Sequence, residues 1–298
     1  GSACAPNPPY RPTGDTATIT LTGQGGFGDL TGSGTPQFIQ SSAGVESIVL
    51  ALGQAGEASL PQVYEKAWDP RTGSVLSGFP QRQDGFPFYD APITADVGAG
   101  GGHRNAIEAN DNYWIHAWGP DGSEAPGFPK YTGQWAGFVG GVGDPRLNGH
   151  LQLVYGTREG DLFLWNVAGS SALNNSWWHY RHDEWNTGQY GLDTRPPAPA
   201  GRVRARRLRS GRVELNFHAP GNDWMTGQAA RYQVRWSRRP IAPGDFARAH
   251  PVRVRARPHA AGMHERLRLA IPRGARFLAL RAIDPAGNIG TEVTVLIR

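Results

Sequence analysis

A tryptophan marker that recurs about every fifty residues limits the possible folds of this chain more than any other sequence feature. Trp68, Trp118 and Trp165 follow one another at spacings of 50 and 47 residues. A Gly-Phe-Pro marker ending at Pro80 and at Pro129 repeats after 49 residues. A period of this length indicates an array of similar structural units.

Each unit also contains an aspartate followed by a glycine-rich turn and a segment of alternating polarity. The aspartates are Asp29, Asp96 and Asp144, at spacings of 67 and 48, so the first unit has about 19 extra residues. Segments 16–22, 113–118 and 161–165 alternate with period two, which is typical of short β-strands. No apolar face with helical spacing is visible.

Several short strands in a period near 48 predict β-propeller blades. Residues 25–192 hold about three and a half units, whereas a closed propeller usually needs at least four blades. We therefore expect an incomplete propeller, completed by an upstream part of a longer precursor or by another polypeptide. Residues 1–24 would be an extension or a partial blade, and four-bladed closure through the strand around Ile19 is the alternative.

These motifs resemble bacterial FG-GAP/VCBS-type β-propeller repeats. The resemblance rests on the Gly-Asp-Leu turn at Asp29, the turn of residues 118–129 and the closing segment 178–188, and it covers about residues 25–192. It implies a secreted or cell-surface protein.

The FG-GAP/VCBS resemblance also implies calcium, which the family often holds in aspartate-rich turns. The candidate ligands here are Asp29, Thr31 and Ser33. Calcium prefers six or more oxygen ligands, commonly several carboxylates, and each turn keeps only one aspartate. The other interpretation is that each aspartate accepts backbone N–H bonds and stabilises its turn.

A change in composition near residue 194 marks a domain boundary. Residues 1–194 carry a net charge of −10, and residues 195–298 carry 21 arginines and a net charge of +15. The proline-rich stretch 193–200 is the expected linker. Residues 201–298 favour an immunoglobulin-like sandwich of seven strands, with candidates 202–208, 212–217, 231–236, 252–257, 265–269, 276–283 and 293–297.

The second region resembles a bacterial fibronectin type III domain, through residues 219–223, 232–237 and 279–288. Phe217 stands where that family often has a buried tryptophan. Phe277 stands near the usual tyrosine corner and lacks the hydroxyl that forms the corner hydrogen bond in that family. The expected fold class is therefore all-β, a partial propeller of three to four blades followed by a β-sandwich.

Arginines at alternate positions are the unusual feature of the second region. Alternate residues of a strand point to one face, so these side chains would form a basic surface. The eight candidates are Arg202, Arg204, Arg206, Arg253, Arg255, Arg257, Arg266 and Arg268.

Three interpretations of these arginines stay open. The surface binds an anionic glycan, lipopolysaccharide or extracellular DNA; it is a solvated face in an arginine-preferring genome; or it docks against an acidic partner such as the first region. Single-stranded nucleic acid is not favoured, because few aromatic residues lie between the arginines.

Three common catalytic motifs are absent from the sequence. It has no Gly-x-Ser-x-Gly, His-Glu-x-x-His or P-loop pattern, and no pair of carboxylates stands out for glycoside hydrolysis. His179, His182 and Asp183 form a weak metal pattern, and their aromatic surroundings favour a structural role. The lone Cys4 has no partner in the chain for a disulfide.

The sequence also bears on location. It shows no apolar stretch long enough for a membrane span and no signal peptide. We expect a non-enzymatic adhesion or assembly protein that contacts other protein chains or an anionic surface. The alternative is the accessory region of a secreted hydrolase whose catalytic domain lies upstream.

Overall fold

The computed structural model describes residues 18–19, 24–44, 63–98, 103–171 and 177–298. Cys4 and the rest of residues 1–17 lie outside this part of the chain. The chain divides into two compact units: unit 1 is Gly1–Pro145 with His150–Leu192, and unit 2 is Arg146–Gly149 with Asp193–Arg298.

The all-β prediction is confirmed. The described residues form small antiparallel sheets, with a short 3₁₀ turn at Phe246–Arg248 and no α-helix among them. Within that part of the chain, no helix has the length and apolar character of a membrane span.

Unit 1 contains three sheets, each built largely from strands that follow one another in the chain. Sheet A has the order β1-β3-β4-β5, with β2 also paired to β3. Sheet B has the order β6-β7-β8-β9, and sheet C has the order β10-β11-β12. The strands are β1 (Thr18–Ile19), β2 (Gly26–Gly28), β3 (Gln37–Gly44), β4 (Val63–Trp68), β5 (Gln81–Gln83), β6 (Ile93–Ala95), β7 (Asn105–Ala109), β8 (Trp114–Trp118), β9 (Lys130–Tyr131), β10 (Gly141–Gly143), β11 (His150–Gly156) and β12 (Leu162–Ser170).

The tryptophan marker occupies an equivalent place in all three sheets. Trp68 pairs with Phe38, Trp118 with Ala106 and Trp165 with Leu153, each between two neighbouring strands of its sheet. The Gly-Phe-Pro markers are equivalent too, since the Phe79–Pro80 and Phe128–Pro129 peptide bonds are both cis. The sequence repeat is therefore a structural repeat.

A Trp177–Trp178 segment joins the first strands of sheets B and C. The carbonyl of Trp177 accepts a hydrogen bond from Thr94 N at 2.7 Å, and that of Trp178 accepts one from Val142 N at 2.9 Å. The Thr94 hydroxyl also donates to the Phe27 carbonyl on β2 at 2.7 Å. These bonds link the first strands of sheets B and C through Trp177 and Trp178, and they link sheet B to β2 of sheet A.

Unit 2 contains two antiparallel sheets. Sheet D has the order β13-β14-β17, and sheet E has the order β16-β15-β18-β19. Their strands are β13 (Gly201–Arg207), β14 (Val213–His218), β15 (Arg231–Ser237), β16 (His250–Val252), β17 (His264–Leu269), β18 (Phe277–Ile283) and β19 (Val293–Leu296).

One buried cluster of apolar side chains holds sheets D and E together. Leu215 and Phe217 of β14 and Leu267 of β17 enter it from sheet D, and Val234 of β15 and Leu278 of β18 enter it from sheet E. Alternation of buried and exposed residues along β17 leaves the intervening arginines in solvent.

Residues 193–200, the expected linker, belong to unit 2, in which Pro196 and Ala198 exchange backbone hydrogen bonds with Trp224 at 3.0 Å. One strand prediction for unit 2 needs correction. The expected strand 252–257 ends at Val252. Val254 still packs against the core, but the chain has left the edge of sheet E.

Candidate functional site

The outer face of sheet D gathers four of the eight candidate arginines in two cross-strand rows. In one row, Arg206 of β13 pairs with Glu214, which pairs with Arg268 of β17. In the other, Arg204 pairs with Asn216, which pairs with Arg266. All four arginines reach solvent. We call these four arginines with Glu214 and Asn216 the basic face.

Glu214 is the only carboxylate among the six residues of the basic face. Its Oε1 lies 3.2 Å from Arg206 Nη2, and its Oε2 lies 3.7 Å from Arg268 Nε. Desolvation raises the pKa of Glu214, but the hydrogen bond from Arg206 and further contacts with Asn216 and Arg266 lower it overall. The ionised Glu214 orients its neighbours and offsets part of their charge.

The spacing of the basic face suits a repeating anion. Alternate residues of a strand lie about 7 Å apart, and the two strands that carry the arginines, β13 and β17 on either side of β14, lie about 10 Å apart. His218 and His264 pair at the end of the same face, with ring centroids 6.2 Å apart. The face therefore offers charge at intervals comparable to those of charged groups along an extended polymer.

A groove of about 800 Å³ runs along the β13 side of the basic face. Ala205 forms a parallel bridge with Ile297, and Arg298 N donates to the Ala205 carbonyl at 3.1 Å. Arg204, Arg206 and Arg266 line the groove together with Leu296 and Arg298. It adds a concave region to the basic face.

The other four candidate arginines lie outside the two cross-strand rows of the basic face. Arg253, Arg255 and Arg257 follow β16 in an unpaired segment, so they lie on no strand. Arg202 lies in a bulge of β13, with a left-handed backbone at φ 50°. Four of the eight arginines therefore lie on one face of a single sheet, and a surface shared with the other four stays a prediction.

Other arginines of unit 2 have structural contacts that the sequence pattern did not reveal. Arg207 donates to four backbone carbonyls, those of Gly211, Ile271, Pro272 and Ala275. The buried Arg195 lies 2.9 Å from Asp223 and over the Trp224 ring. Part of the +15 charge of the second region therefore stabilises the fold.

The candidate calcium turn is satisfied by its own backbone. Asp29 Oδ1 accepts from Ser33 N at 2.9 Å, and Asp29 Oδ2 accepts from Gly34 N at 2.6 Å. Thr31 Oγ1 lies 2.9 Å from Ser33 Oγ. One carboxylate with both oxygens in use and two hydroxyls do not match the ligand set that calcium prefers. The geometry supports the turn-stabilising interpretation.

The histidines of the closing segment also have local partners. His182 Nδ1 lies 2.6 Å from the buried Asp183 carboxylate, which accepts further hydrogen bonds from Trp185 N and from Thr187. Across the described part of the chain, no group of three or more His, Cys, Asp or Glu residues is arranged to hold a metal ion.

Sheets A and B share a buried polar cluster that no sequence motif marks. Glu65 and Glu108 are fully buried. Burial, followed by the negative charge of Glu108, raises the pKa of Glu65, and burial raises the pKa of Glu108 to about 8. A sugar chain could not reach this pair as it stands, so the pair does not supply the accessible carboxylates that glycoside hydrolysis needs.

Comparisons with known proteins give no family. No protein-family model matches the chain, and no curated protein matches it. Among solved structures, it is similar to two crystal structures of BBS1N in complex with ARL6DN, one soaked with mercury and one with lead. Sequence identity is 10% and 11%, TM-scores are 0.26 and 0.27, and the matches cover 95% of this chain and 96% of those chains. Similarity at this level does not indicate a shared fold.

Proposed function

We propose that this protein is a non-enzymatic extracellular attachment protein whose unit 2 binds an extended acidic polysaccharide. The observation that carries the proposal is the basic face of sheet D. It presents four solvent-accessible arginines in two rows around a single carboxylate. Such a surface attracts polyanions over a distance and holds them through several weak contacts.

An acidic glycan fits this face better than a single-stranded nucleic acid. Single-strand binding usually adds aromatic side chains on which bases stack. The outward residues of sheet D are arginines, Glu214, Asn216 and the histidines His218 and His264, with no Phe, Tyr or Trp among those the structure describes there. Charge and hydrogen bonds are therefore the main means of recognition.

Unit 2 supports the sandwich that the proposal requires. Its three-stranded and four-stranded sheets enclose one core, as in immunoglobulin-like and fibronectin type III domains. Phe217 is buried and contacts the Tyr232 ring edge-on at 5.0 Å. A rigid sandwich of this type holds the arginines at constant spacing.

For unit 1 we propose an incomplete β-propeller that contacts other protein chains, or another part of the same precursor. Its sheets are meanders with equivalent tryptophans, which supports an interpretation as blades. Sheet C has three described strands, and its outer strand β12 exposes Leu162 and Leu164. Exposed leucines beside a sheet edge suit a protein contact.

Retention of the full chain on two matched matrices tests the proposal. At low salt we expect binding to immobilised heparin, used as a model acidic polysaccharide, and none to uncharged dextran. Elution from heparin should require added salt, because the contacts are ionic. Equal behaviour on heparin and dextran would overturn the proposal.

A further inference from the structure

A buried cluster of oxygen atoms lies between sheets A and B of unit 1. Ser41 of β3, Glu65 of β4 and Gln83 of β5 reach it from sheet A, and Glu108 of β7 reaches it from sheet B. None of the four residues is exposed by more than 1%. We call these four residues the oxygen cluster.

Hydrogen bonds join Ser41, Gln83 and Glu108, and the pairing of β3 with β4 places Glu65 directly opposite Ser41. Glu108 Oε2 accepts short hydrogen bonds from Ser41 Oγ and from Gln83 Nε2. Gln83 Nε2 also lies 3.1 Å from Ser41 Oγ. The Gln83 amide is therefore held inside the cluster, and its carbonyl oxygen is held there with it.

Within the part of the chain that the structure describes, four oxygens of the oxygen cluster have no hydrogen-bond donor. They are Oε1 and Oε2 of Glu65, Oε1 of Glu108 and Oε1 of Gln83. Buried acceptors are almost always paired, because an unpaired one loses the hydration it had in the unfolded chain. Protonation could satisfy the two carboxylates, but it cannot satisfy the neutral Gln83 carbonyl. The unpaired carbonyl oxygen therefore separately indicates that a hydrogen-bond donor or a metal ion belongs in the cluster.

The surrounding charged groups are already engaged elsewhere. The His116 ring bonds to Asp84 Oδ1 at 3.3 Å and to Glu124 Oε2 at 3.0 Å, so it acts on Glu108 only through its charge. Asp90 accepts from Ala109 N and from Ala91 N. Lys66 follows Glu65 in β4 and so points to the opposite face.

We propose that Ser41, Glu65, Gln83 and Glu108 bind a calcium ion between sheets A and B. Together they offer six side-chain oxygens, four of them from carboxylates. Calcium takes six to eight oxygens, whereas Mg²⁺ prefers to keep several waters, for which a buried cluster leaves little room. Two carboxylates also balance the charge of the ion. This site is separate from the Asp29 turn.

Calcium titration of the chelator-treated full chain tests the site. We expect isothermal titration calorimetry to show one bound Ca²⁺, and thermal unfolding to show a higher midpoint for unit 1 with Ca²⁺ than with EDTA. Glu65→Gln should weaken Ca²⁺ binding by roughly tenfold or more, because it removes a ligand charge. Asp29→Asn is the matched control and should bind Ca²⁺ like the parent chain.

The competing explanation is a proton shared by the two carboxyl groups. It predicts no Ca²⁺ response, and a Glu65→Gln variant at least as stable as the parent at pH 7; that pair of results would overturn the proposal. A site that binds Mg²⁺ as tightly as Ca²⁺ would overturn the calcium assignment.

Ser41→Ala keeps the test decisive if Glu65→Gln does not fold. It removes one oxygen and leaves both carboxylates in place, so we expect Ca²⁺ binding to weaken measurably. Unchanged Ca²⁺ affinity in Ser41→Ala would contradict the proposed ligand set.

Discussion

The guanidinium of Arg206 lies 3.2 Å from the carboxylate of Glu214, its directly paired neighbour in sheet D. Glu214 also approaches Arg268 at 3.7 Å, so one acid touches half of the arginines of the basic face. The side chains of Arg206 and Arg268 are still 69% and 62% exposed. Both can therefore turn toward a ligand while the carboxylate competes for them.

Removing this competitor should strengthen polyanion binding. We expect Glu214→Gln to bind heparin about two- to fivefold more tightly, because ion pairs at the protein surface are weak and the freed arginines gain little more than that. Asp245→Asn is the control for net charge, since it removes one acid from another arginine pair of unit 2, that with Arg248. Equal gains in the two variants would show that net charge, and not the basic face, governs binding.

His116 should titrate well above an ordinary histidine. Burial lowers its pKa, but the hydrogen bonds and charges of Asp84 and Glu124 outweigh burial and raise the pKa to about 9. An NMR titration in EDTA should show one of the nine histidines with this value. A His116 pKa near 6.5 would contradict the ion pairs.

The same shift makes the stability of unit 1 depend on pH. Because the folded pKa is raised, the contribution of His116 is complete below pH 6.5 and is lost as pH rises through 9. The loss amounts to about 3 kcal/mol. In urea unfolding, the free energy of unfolding of His116→Gln should depend less on pH between 6.5 and 9 than that of the parent chain. The same pH dependence in both proteins would count against the prediction.

Tyr232 should stabilise unit 2 through its hydroxyl. The hydroxyl donates to Glu265 Oε1 at 2.9 Å in the core, and burial together with Glu265 raises the pKa of Tyr232. We expect Tyr232→Phe to lower the free energy of unfolding of unit 2 by about 1–3 kcal/mol, since the ring still packs on Phe217. Tyr131→Phe, at a tyrosine that is 56% exposed, should change stability little. Denaturant titration separates the two outcomes.

Two leucines of sheet C offer a matched test of its exposed side. Leu153 is fully buried, and Leu164 is 54% exposed. We expect Leu153→Ala to cost about 2–5 kcal/mol and Leu164→Ala to cost about 0.5 kcal/mol or less. A large loss of stability in Leu164→Ala for the isolated chain would show that this side is covered within the chain itself. In that case it would not be free for a partner.

The repeat was the part of the fold that the sequence predicted most directly. Trp68, Trp118 and Trp165 recur because each occupies the same register opposite a neighbouring strand, so a structural constraint appears directly as a spacing. The strand bounds of unit 2 follow from alternation in the same way. Alternation fails at residues 253–257, because Val254 faces the core while the backbone leaves the ladder at Val252.

The basic face and the oxygen cluster were harder to predict from the sequence, for the same physical reason. Alternation tells which side of its own strand a residue faces, but not which strand lies beside it. Arg204 and Arg266 share one face of sheet D because their strands, β13 and β17, both pair with β14. Burial of Glu65 could have been predicted, since it alternates with Val63 and Ala67 on the apolar side of β4. Its neighbour Glu108 could not, because Glu108 comes from another sheet.

The salt dependence of heparin binding decides whether the basic face is the binding site. The measurement compares the full chain with two triple variants of equal net charge, one with Arg204, Arg206 and Arg266 changed to Ser, and one with Arg253, Arg255 and Arg257 changed to Ser. We predict that the first variant binds more weakly, and that its slope of log affinity against log salt is shallower by roughly one for each arginine that pairs with an anionic group in the parent chain. The second variant should stay close to the parent. Equal slopes for both variants, or a larger loss of affinity in the second, would contradict the basic face as the binding site.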